Sequence, residues 1–573
     1  MKVLIMSGGT GSKQLQSGLY SIFKDNLEVK LLINCYDNGG TTGVVRQVFD
    51  GKILGPSDLK KNQFFRHFLT YGNTDLLKFL EERITSNNPY EEIQKVLSKY
   101  SIGEYEKEII NNSIDFFFSK PLSKVIDYED FSISSLIYAG LAGANNNSTS
   151  KVGEIMSKVL KIDDFIIIND DESLFLNAVS NSDQIIDDEG DIVKWNNDSD
   201  TIKSVWLENV HGVVTLPLLT ELAKKEISEA DMIIFSSGTQ WSSLIPTYMS
   251  VGFKEAIEKS KAKKYLVMNC FPDKDMTGIG SKELIPNLEK YLPLKDITTI
   301  FSENAEESMR YYPEFNFPYI CANVSEPRKL THKPYDLIKC IFNDYYKDYL
   351  GDNKYYVFDW DGTIRSRIVS MSNTTNSNIS KLSSLNEFSI ITGNDISVIN
   401  SEIQEKNNVM VFADGGNNLY EKTIFKKYIS KDVLIESSEE IFSLLNSISI
   451  NRSKIHNRNN CTISIKPIDP EYRIPLCLLI NKILPQDFIA NITGKTTIDI
   501  TKKNLNKEIP LKFIKDLEKI SNKEIVYLGD EYYENGNDYI IFQRKDVKFL
   551  KINNVKDTNV FLTILKEQQK NGF

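Results

Sequence analysis

Cysteine is scarce. There are six in 573 residues, at positions 35, 270, 321, 340, 461 and 477, and no two have CxxC spacing. That excludes a disulfide framework and a zinc ribbon. Histidine is scarcer still: His67, His211, His332 and His456 show no ligand spacing and read as structural or surface residues. No run of about 18 apolar residues occurs, so no segment reads as crossing a bilayer. The opening MKVLIMSGG reaches glycine after too few apolar residues for a signal peptide. Basic charge is not in excess. Lys plus Arg number 68 against 78 Asp plus Glu, a formal net charge of −10, so the basic surface a nucleic-acid binder carries is missing. What is there is ordinary globular composition, 41% hydrophobic and 25% charged. The length is enough for three or four units of roughly 100–200 residues. The expectation is a cytoplasmic protein with no nucleic-acid and no membrane partner.

Two segments begin in the same way. Residues 2–6, KVLIM, end in SGGTG; a helical pattern follows over about Leu15 to Phe23, and the second strand, LLINC, runs into YDNGGTTG. Strand, glycine turn, helix, strand opens a parallel α/β sheet. FIIIN, MIIFSSG and KYLVMNC read as later strands, and the stretch from Asn88 to Asp130 reads as helices over one face. The second beginning is YYVFDWDGTI, after an amphipathic helix closed by Gly351-Asp352-Asn353. Its later strands are SIIT, VMVFAD, TISIKP and IVYLGD, and SMSNTTNSNISKLSSLNE reads as a loop and helix-cap region. The fold class expected is α/β: a Rossmann-like parallel-sheet domain over 1–350, fused to a second α/β domain over 351–573 with an α+β insertion at about 425–500.

In the second half, FDWDGTI sets Asp359 and Asp361 two residues apart at a strand end, on one face. One carboxylate can attack phosphorus while the other handles the leaving-group proton, and a divalent cation would relieve their repulsion. A bland surface turn is the alternative for this motif taken alone. Thr392 follows another strand in SIITGND, Lys507 lies in ITKKNLNKEIP near Lys502 and Lys503, and Asp530 follows a strand in VYLGDEYYENGNDY, ahead of Asn537 and Asp538. In this order the set resembles the haloacid-dehalogenase (HAD) phosphohydrolases over about 354–573. The resemblance implies Asp359 as nucleophile, Asp361 as general acid/base, and Thr392 and Lys507 on the phosphate. It also implies Mg2+ held by Asp359, Asp361 and Asp530. HNRNNCTISIKPIDPEYR is similar to the cap segment of eukaryotic-type phosphomannomutases, which implies Arg458 and Arg473 as grips on the distal end of a phosphorylated small molecule. GKTT at Gly494–Thr497 is no phosphate loop, because Ile489 stands where such a loop needs its first glycine.

In the first half, three glycine-rich turns follow strands: SGGTG, YDNGGTTG and SSGTQWSSLIP, with GPSDLKKN between the second and third. Such loops at the carboxyl ends of parallel strands make a crevice suited to a nucleotide diphosphate. As a set they resemble the CofD/YvcK family over about 1–330. One branch moves a phospholactyl group from a guanosine diphosphate carrier to a hydroxyl, and the other binds UDP-sugars. The resemblance implies nucleotide-binding positions at Gly8, Gly9, Thr10 and Gly11, at Asp37, Gly39, Gly40 and Thr41, at Asp58, and at Ser237, Gly238 and Thr239. Asn38 stands where the family has a second Asp, and Lys61 where its PGDIRN motif ends in Asn. Trp241 reads equally as a stacking platform or as core. Taken together, the expectation is a bifunctional enzyme: a nucleotide-dependent phospho-group transferase joined to a Mg2+-dependent phosphatase of a sugar phosphate or related monoester. The alternative is a phosphatase regulated by a non-catalytic nucleotide-sugar-binding lobe. A homodimer is left open.

Overall fold

In the computed structural model the apolar runs named above become strands of two seven-stranded sheets, except TISIKP, which enters a separate four-stranded sheet. The structure describes residues 1–86, 88–121, 126–162, 166–366, 368–421, 424–428, 438–458, 462–493, 496–503, 505–534 and 536–571. The chain divides into two compact units, Met1–Ile341 and Phe342–Phe573. The division falls inside helix Pro334–Tyr345, not at Gly351 where the sequence is punctuated. Packing sets it. Ile338 lies where a Cβ on Gly18 would meet it at 2.6 Å, whereas the Tyr346 ring packs edge-on against Phe561.

In the first unit the strands are β1 (Lys2–Met6), β2 (Glu28–Ile33), β3 (Ile166–Ile168), β4 (Met232–Phe235), β5 (Lys263–Val267), β6 (Thr298–Ser302) and β7 (Tyr319–Ala322). They pair in the order β7-β6-β5-β4-β1-β2-β3, all parallel. Val3, Leu4, Ile5 and Met6 are all buried, as are Met232 to Phe235. Burial of successive side chains means both sheet faces are covered, the usual state of a parallel sheet. The order reverses between β1 and β4. That reversal leaves a crevice beyond their carboxyl ends, into which both strand-end loops open. Helices α1 (Lys13–Phe23), α2 (Thr41–Val48) and α3 (Ser57–Tyr71) follow the first two loops. A small antiparallel sheet, with Phe175–Ser180 between Ile185–Ile186 and Ile202–Glu208, stands beside the main one and carries helix α4 (Glu189–Lys194).

The second unit has β8 (Lys354–Asp359), β9 (Phe388–Ile391), β10 (Val409–Ala413), β11 (Asn418–Glu421) and β12 (Ile424–Tyr428). The inserted strands are β13 (Ile455–Arg458), β14 (Thr462–Ile465), β15 (Phe488–Thr493) and β16 (Thr497–Lys502). Then come β17 (Glu524–Gly529) and β18 (Lys548–Lys551). The main sheet runs β12-β11-β10-β9-β8-β17-β18, parallel except around β11. The inserted strands form their own antiparallel sheet, β13-β14-β16-β15. Helices Ser438–Ser447 and Pro470–Ile483 supply Ile441, Leu445, Cys477 and Ile480 to the same apolar cluster as Ile463, Ile465, Ile498 and Ile500. Because a strand alternates its faces, Thr497 and Asp499 point the other way from that cluster.

One expectation fails here. The Ser/Asn-rich segment is a helix, Ser372–Ser383, and not a loop. Its propensity is poor, but Asn378 is buried and donates to the carbonyls of Ile364 and Val555, and Lys381 donates to Asn559 and Thr563 on the last helix. Tertiary partners override local preference.

Candidate functional site

Each unit has a cleft at the carboxyl ends of its strands. In the first, a cavity of about 560 Å³ is lined by Gly8, Gly9, Thr10 and Gly11 after β1, by Asp37, Gly39 and Gly40 after β2, by Asp58 on α3, and by Gly238 and Thr239 after β4. Thr41 and Ser237 are not among the lining residues. The glycines are needed for close approach. A Cβ on Gly11 would stand 2.2 Å from the Ser237 carbonyl oxygen, and one on Gly8 would stand 2.5 Å from the Ser243 Cβ. Gly238 has φ +141°, a conformation L side chains rarely adopt. Asp37 Oδ1 accepts from the Gly39 N–H at 3.1 Å, and Thr42 Oγ1 donates to Oδ2 at 3.3 Å. Burial and the Asp37 charge push Asp58 up, against the Lys61 ammonium, to about 6. Gly9→Val would drive a side chain into Asp58, because even a Cβ at position 9 would stand only 2.5 Å from Asp58 Oδ1. On the expectation that the cleft takes a nucleotide diphosphate, the expected result is a folded variant whose affinity for it falls at least about tenfold, read by calorimetric titration.

The sequence reading missed α4. Its Glu189, Gly190 and Lys194 line the same cavity, together with Asp273 and Lys274 after β5. No strand-end glycine signal precedes α4 in DDEGDIVK, and it is packing of the small sheet that brings it in. Asp188 caps this helix by accepting from the Gly190 N–H at 2.7 Å, and its other oxygen accepts from Asn38 Nδ2 at 2.8 Å. Arg46, on α2, is fully buried beneath the loop. It donates to the carbonyls of Ile53, Asp37 and Leu174 and lies over the Phe175 ring. Lys60 donates to the Ser132 and Ser135 hydroxyls, and burial lowers it to about 8. Trp241 is 2% exposed, a core residue and not a stacking platform.

In the second unit, pairing of β8 with β9 sets Asp359 opposite Ile391, so Thr392 follows beside it. Both are buried. Lys507 is buried too, and its Nζ donates at 2.6 Å to Asp359 Oδ1 and at 2.6 Å to Asp538 Oδ1. Asp538 also accepts from the Tyr527 hydroxyl at 2.7 Å and from the Glu531 N–H at 3.1 Å. Gly362, at φ +91°, lets Asp530 approach: a Cβ there would lie 2.0 Å from Asp530 Oδ2. Asp361 accepts from the Asn394 amide, and Thr392 Oγ1 accepts from the Asn394 N–H at 3.1 Å.

Oxygens of Asp359, Asp530 and Asp538 lie within 4.8 Å of one another. Asp361, expected in the metal set, is not one of the three; Asp538 stands there instead. Burial first, then the neighbouring charges, raise Asp359 to about 7 and Asp530 to about 9. Asp530 Oδ1 is buried with no hydrogen-bond partner among the described residues. One ammonium cannot balance three carboxylates, so a hard divalent cation fits this donor set.

Two cavities meet at Asp361. One of about 270 Å³ is lined by Asp359, Asn394, Lys466, Thr497 and Asp499. The other, of about 500 Å³, is lined by Arg473, Asp530, Ile368, Met371 and Tyr533. Arg473 Nε and Nη1 are buried and without hydrogen-bond partners among the described residues. Arg458 closes β13, and its side chain lies outside the described residues.

Comparison with known proteins separates the two units. A gluconeogenesis-factor relative in Thermotoga maritima is 24% identical over 294 residues, 51% of this chain and 76% of that one. The gluconeogenesis factor of Listeria innocua is 24% identical over 289 residues, 50% of this chain and 71% of that one. A solved member of the UPF0052 family from Bacillus halodurans covers 60% of this chain and 98% of its own at 17% identity, with a TM-score of 0.46. On the C-terminal part, the IMP-nucleotidase of Plasmodium falciparum covers 41% of this chain and 74% of its own at 16% identity and a TM-score of 0.29. The trehalose-6-phosphate phosphatase of Aspergillus fumigatus covers 40% and 98% at 12% identity, with a TM-score of 0.29. Residues 3–292 match the family model described as 2-phospho-L-lactate transferase CofD, and the chain belongs to the CofD family.

Proposed function

We propose that the chain is a two-site enzyme, in which a CofD-type cleft that takes a nucleotide diphosphate or nucleotide sugar is fused to a Mg2+-dependent phosphohydrolase of a small phosphate monoester. The observation that carries the phosphohydrolase reading is Lys507, buried and bonded at 2.6 Å to both Asp359 and Asp538. A buried ammonium between carboxylates is a costly device for stability alone, and it suits a site that receives a dianionic phosphoryl group.

In this reading Asp359 attacks the phosphorus and forms an acyl phosphate. Asp361, oriented by the Asn394 amide, gives a proton to the leaving oxygen and then takes one from the water that releases phosphate. Lys507 and the Thr392 hydroxyl hold the transferring oxygens. Asp359, Asp530 and Asp538 would hold Mg2+, which supplies charge neutralisation when bound. The test is hydrolysis of p-nitrophenyl phosphate by the full chain with Mg2+ and with excess chelator; activity that survives chelation rejects the metal assignment.

Arg473 supports a substrate with a second anionic end, because it lines the larger cavity and two of its guanidinium nitrogens have no hydrogen-bond partner among the described residues. Arg473→Ala is expected to lose about 1.5–3 kcal/mol of binding to a sugar phosphate. That appears as a raised KM, with hydrolysis of p-nitrophenyl phosphate unchanged. An equal loss on both substrates rejects the role.

A second reading, in which the first unit senses a nucleotide sugar without consuming it, is favoured by Asn38, whose amide is committed to Asp188. Asp37 and Asp58, both lining the cleft, favour transfer. Incubation with a guanosine or uridine diphosphate ligand distinguishes them: loss of the ligand supports transfer, and a changed phosphatase rate with the ligand intact supports sensing.

A further inference from the structure

The two cavities that meet at Asp361 differ in kind. The smaller, of about 270 Å³, contains Asp359 and leaves little room beyond a phosphoryl group. The larger, of about 500 Å³, has Asp361 and Asp530 in its wall but not Asp359. A monoester whose phosphorus faces Asp359 and whose leaving oxygen faces Asp361 therefore extends its leaving group into the larger cavity. That cavity joins an apolar surface to one cation. Ile368 and Met371 from the turn after β8, Tyr533, and Val555 at the start of helix Val555–Asn571 supply the apolar surface. Arg473 on helix Pro470–Ile483 supplies the cation. The apolar part is tied in place. Asn378 donates to the carbonyls of Ile364 at 3.2 Å and Val555 at 2.9 Å, which links the segment after β8 to the last helix. The Met371 N–H donates to the Ile368 carbonyl at 3.0 Å and closes the turn. Ile368 remains 42% exposed and Tyr533 39% exposed, apolar surface that a ligand can cover. Arg473 Nε and Nη1 are buried without a hydrogen-bond partner among the described residues. Buried donors of this kind are costly until a ligand brings an acceptor.

We infer that the larger cavity is a nucleoside subsite, and that the second unit acts on a nucleoside monophosphate whose base carries ring-carbonyl acceptors. A base is apolar on both faces and polar at its edge. The faces suit Ile368, Met371, Tyr533 and Val555, against which the hydroxyls of a hexose would go without partners. The edge suits Arg473, because a guanidinium donates two parallel hydrogen bonds to adjacent oxo and ring-nitrogen acceptors. Ser366 and Asn554 line the same cavity and offer polar groups to the ribose. The guanidinium alone would serve a second anionic end equally well; the apolar surface beside it selects a base. The inference rests on the phosphohydrolase reading above and names its substrate class.

The test is initial rates of the full chain with Mg2+ on guanosine 5′-monophosphate, adenosine 5′-monophosphate, glucose 6-phosphate and p-nitrophenyl phosphate. The guanosine ester is expected to exceed both the adenosine ester and glucose 6-phosphate in kcat/KM by at least about tenfold, since adenine puts an amino donor where guanine has its oxo acceptor. Arg473→Ala should raise KM for the guanosine ester at least about tenfold and bring the two nucleotides together. Arg473→Lys, which keeps the charge but not the paired donors, should fail to restore the preference. Ile368→Asp, at an exposed position that folding tolerates, should raise KM for both nucleotides at least about fivefold and that for glucose 6-phosphate less, with a thermal melt on each variant to confirm the fold. If glucose 6-phosphate is used as well as the guanosine ester, if the two nucleotides are used equally, or if Ile368→Asp keeps the wild-type KM for them, the inference is overturned while p-nitrophenyl phosphate hydrolysis keeps the phosphohydrolase reading standing. If none of the four esters is hydrolysed, that reading falls and takes the inference with it.

Discussion

Asp359→Asn in the full chain is expected to lower Mg2+-dependent hydrolysis of p-nitrophenyl phosphate by about 10³-fold or more, the scale seen when a covalent nucleophile is removed. An amide is a poor nucleophile, and it does not restore the carboxylate that Lys507 and a cation both need. The fold should survive. The substitution is nearly isosteric, and it removes one of the crowded carboxylates that burial and like charge already push up to about 7. The checks are initial rates at saturating Mg2+ and a thermal melt on the same sample. Wild-type turnover from a folded Asp359→Asn protein places the nucleophile elsewhere. Lost turnover together with a collapsed melt points to a folding defect, and Asp359→Ser then serves as the second variant.

Lys507→Met is expected to act on stability more than any other substitution in the second unit. Lys507 is fully buried among Asp359, Asp538 and the Tyr527 hydroxyl. Removing it leaves three carboxylates, Asp359, Asp530 and Asp538, with oxygens within 4.8 Å of one another and no neutralising ammonium. Removing one partner of a buried ion pair costs about 3–5 kcal/mol. Urea unfolding followed by tryptophan fluorescence should show that loss in chelator. Part of it should return in millimolar Mg2+, because a ligand that binds only the folded state stabilises it by mass action. A variant as stable as wild type in chelator would mean that the carboxylates are protonated at no cost, and the electrostatic account of the site would be wrong.

Much of the architecture was legible because its signals are local. KVLIM-SGGTG, LLINC-YDNGG and YYVFDWDG each hold a buried strand and its functional turn within about a dozen residues, and parallel strands deliver such turns to one edge of a sheet. The same locality explains the failure at Ser372–Ser383: the sequence shows poor helix formers, and the partners that compensate, Val555, Asn559 and Thr563, lie more than 170 residues away in the chain.

By itself, then, the sequence determined two α/β units, their order, and the loops at which chemistry is possible. The tertiary structure decided which of the available groups meet. Lys502, Lys503 and Lys507 are alike in the sequence, but only the chain path after β16 buries Lys507 against Asp359, 148 positions away. Asp538 lies with Asp359 and Asp530, while Asp361 accepts from the Asn394 amide. Glu189 enters the first cleft through the contact of Gly39 with Gly190 and the bonds of Asn38 to Asp188 and Glu189. Strand-end motifs are written in consecutive residues, whereas side chains brought together by sheet pairing and helix docking share no local pattern, and their meeting is fixed by packing alone.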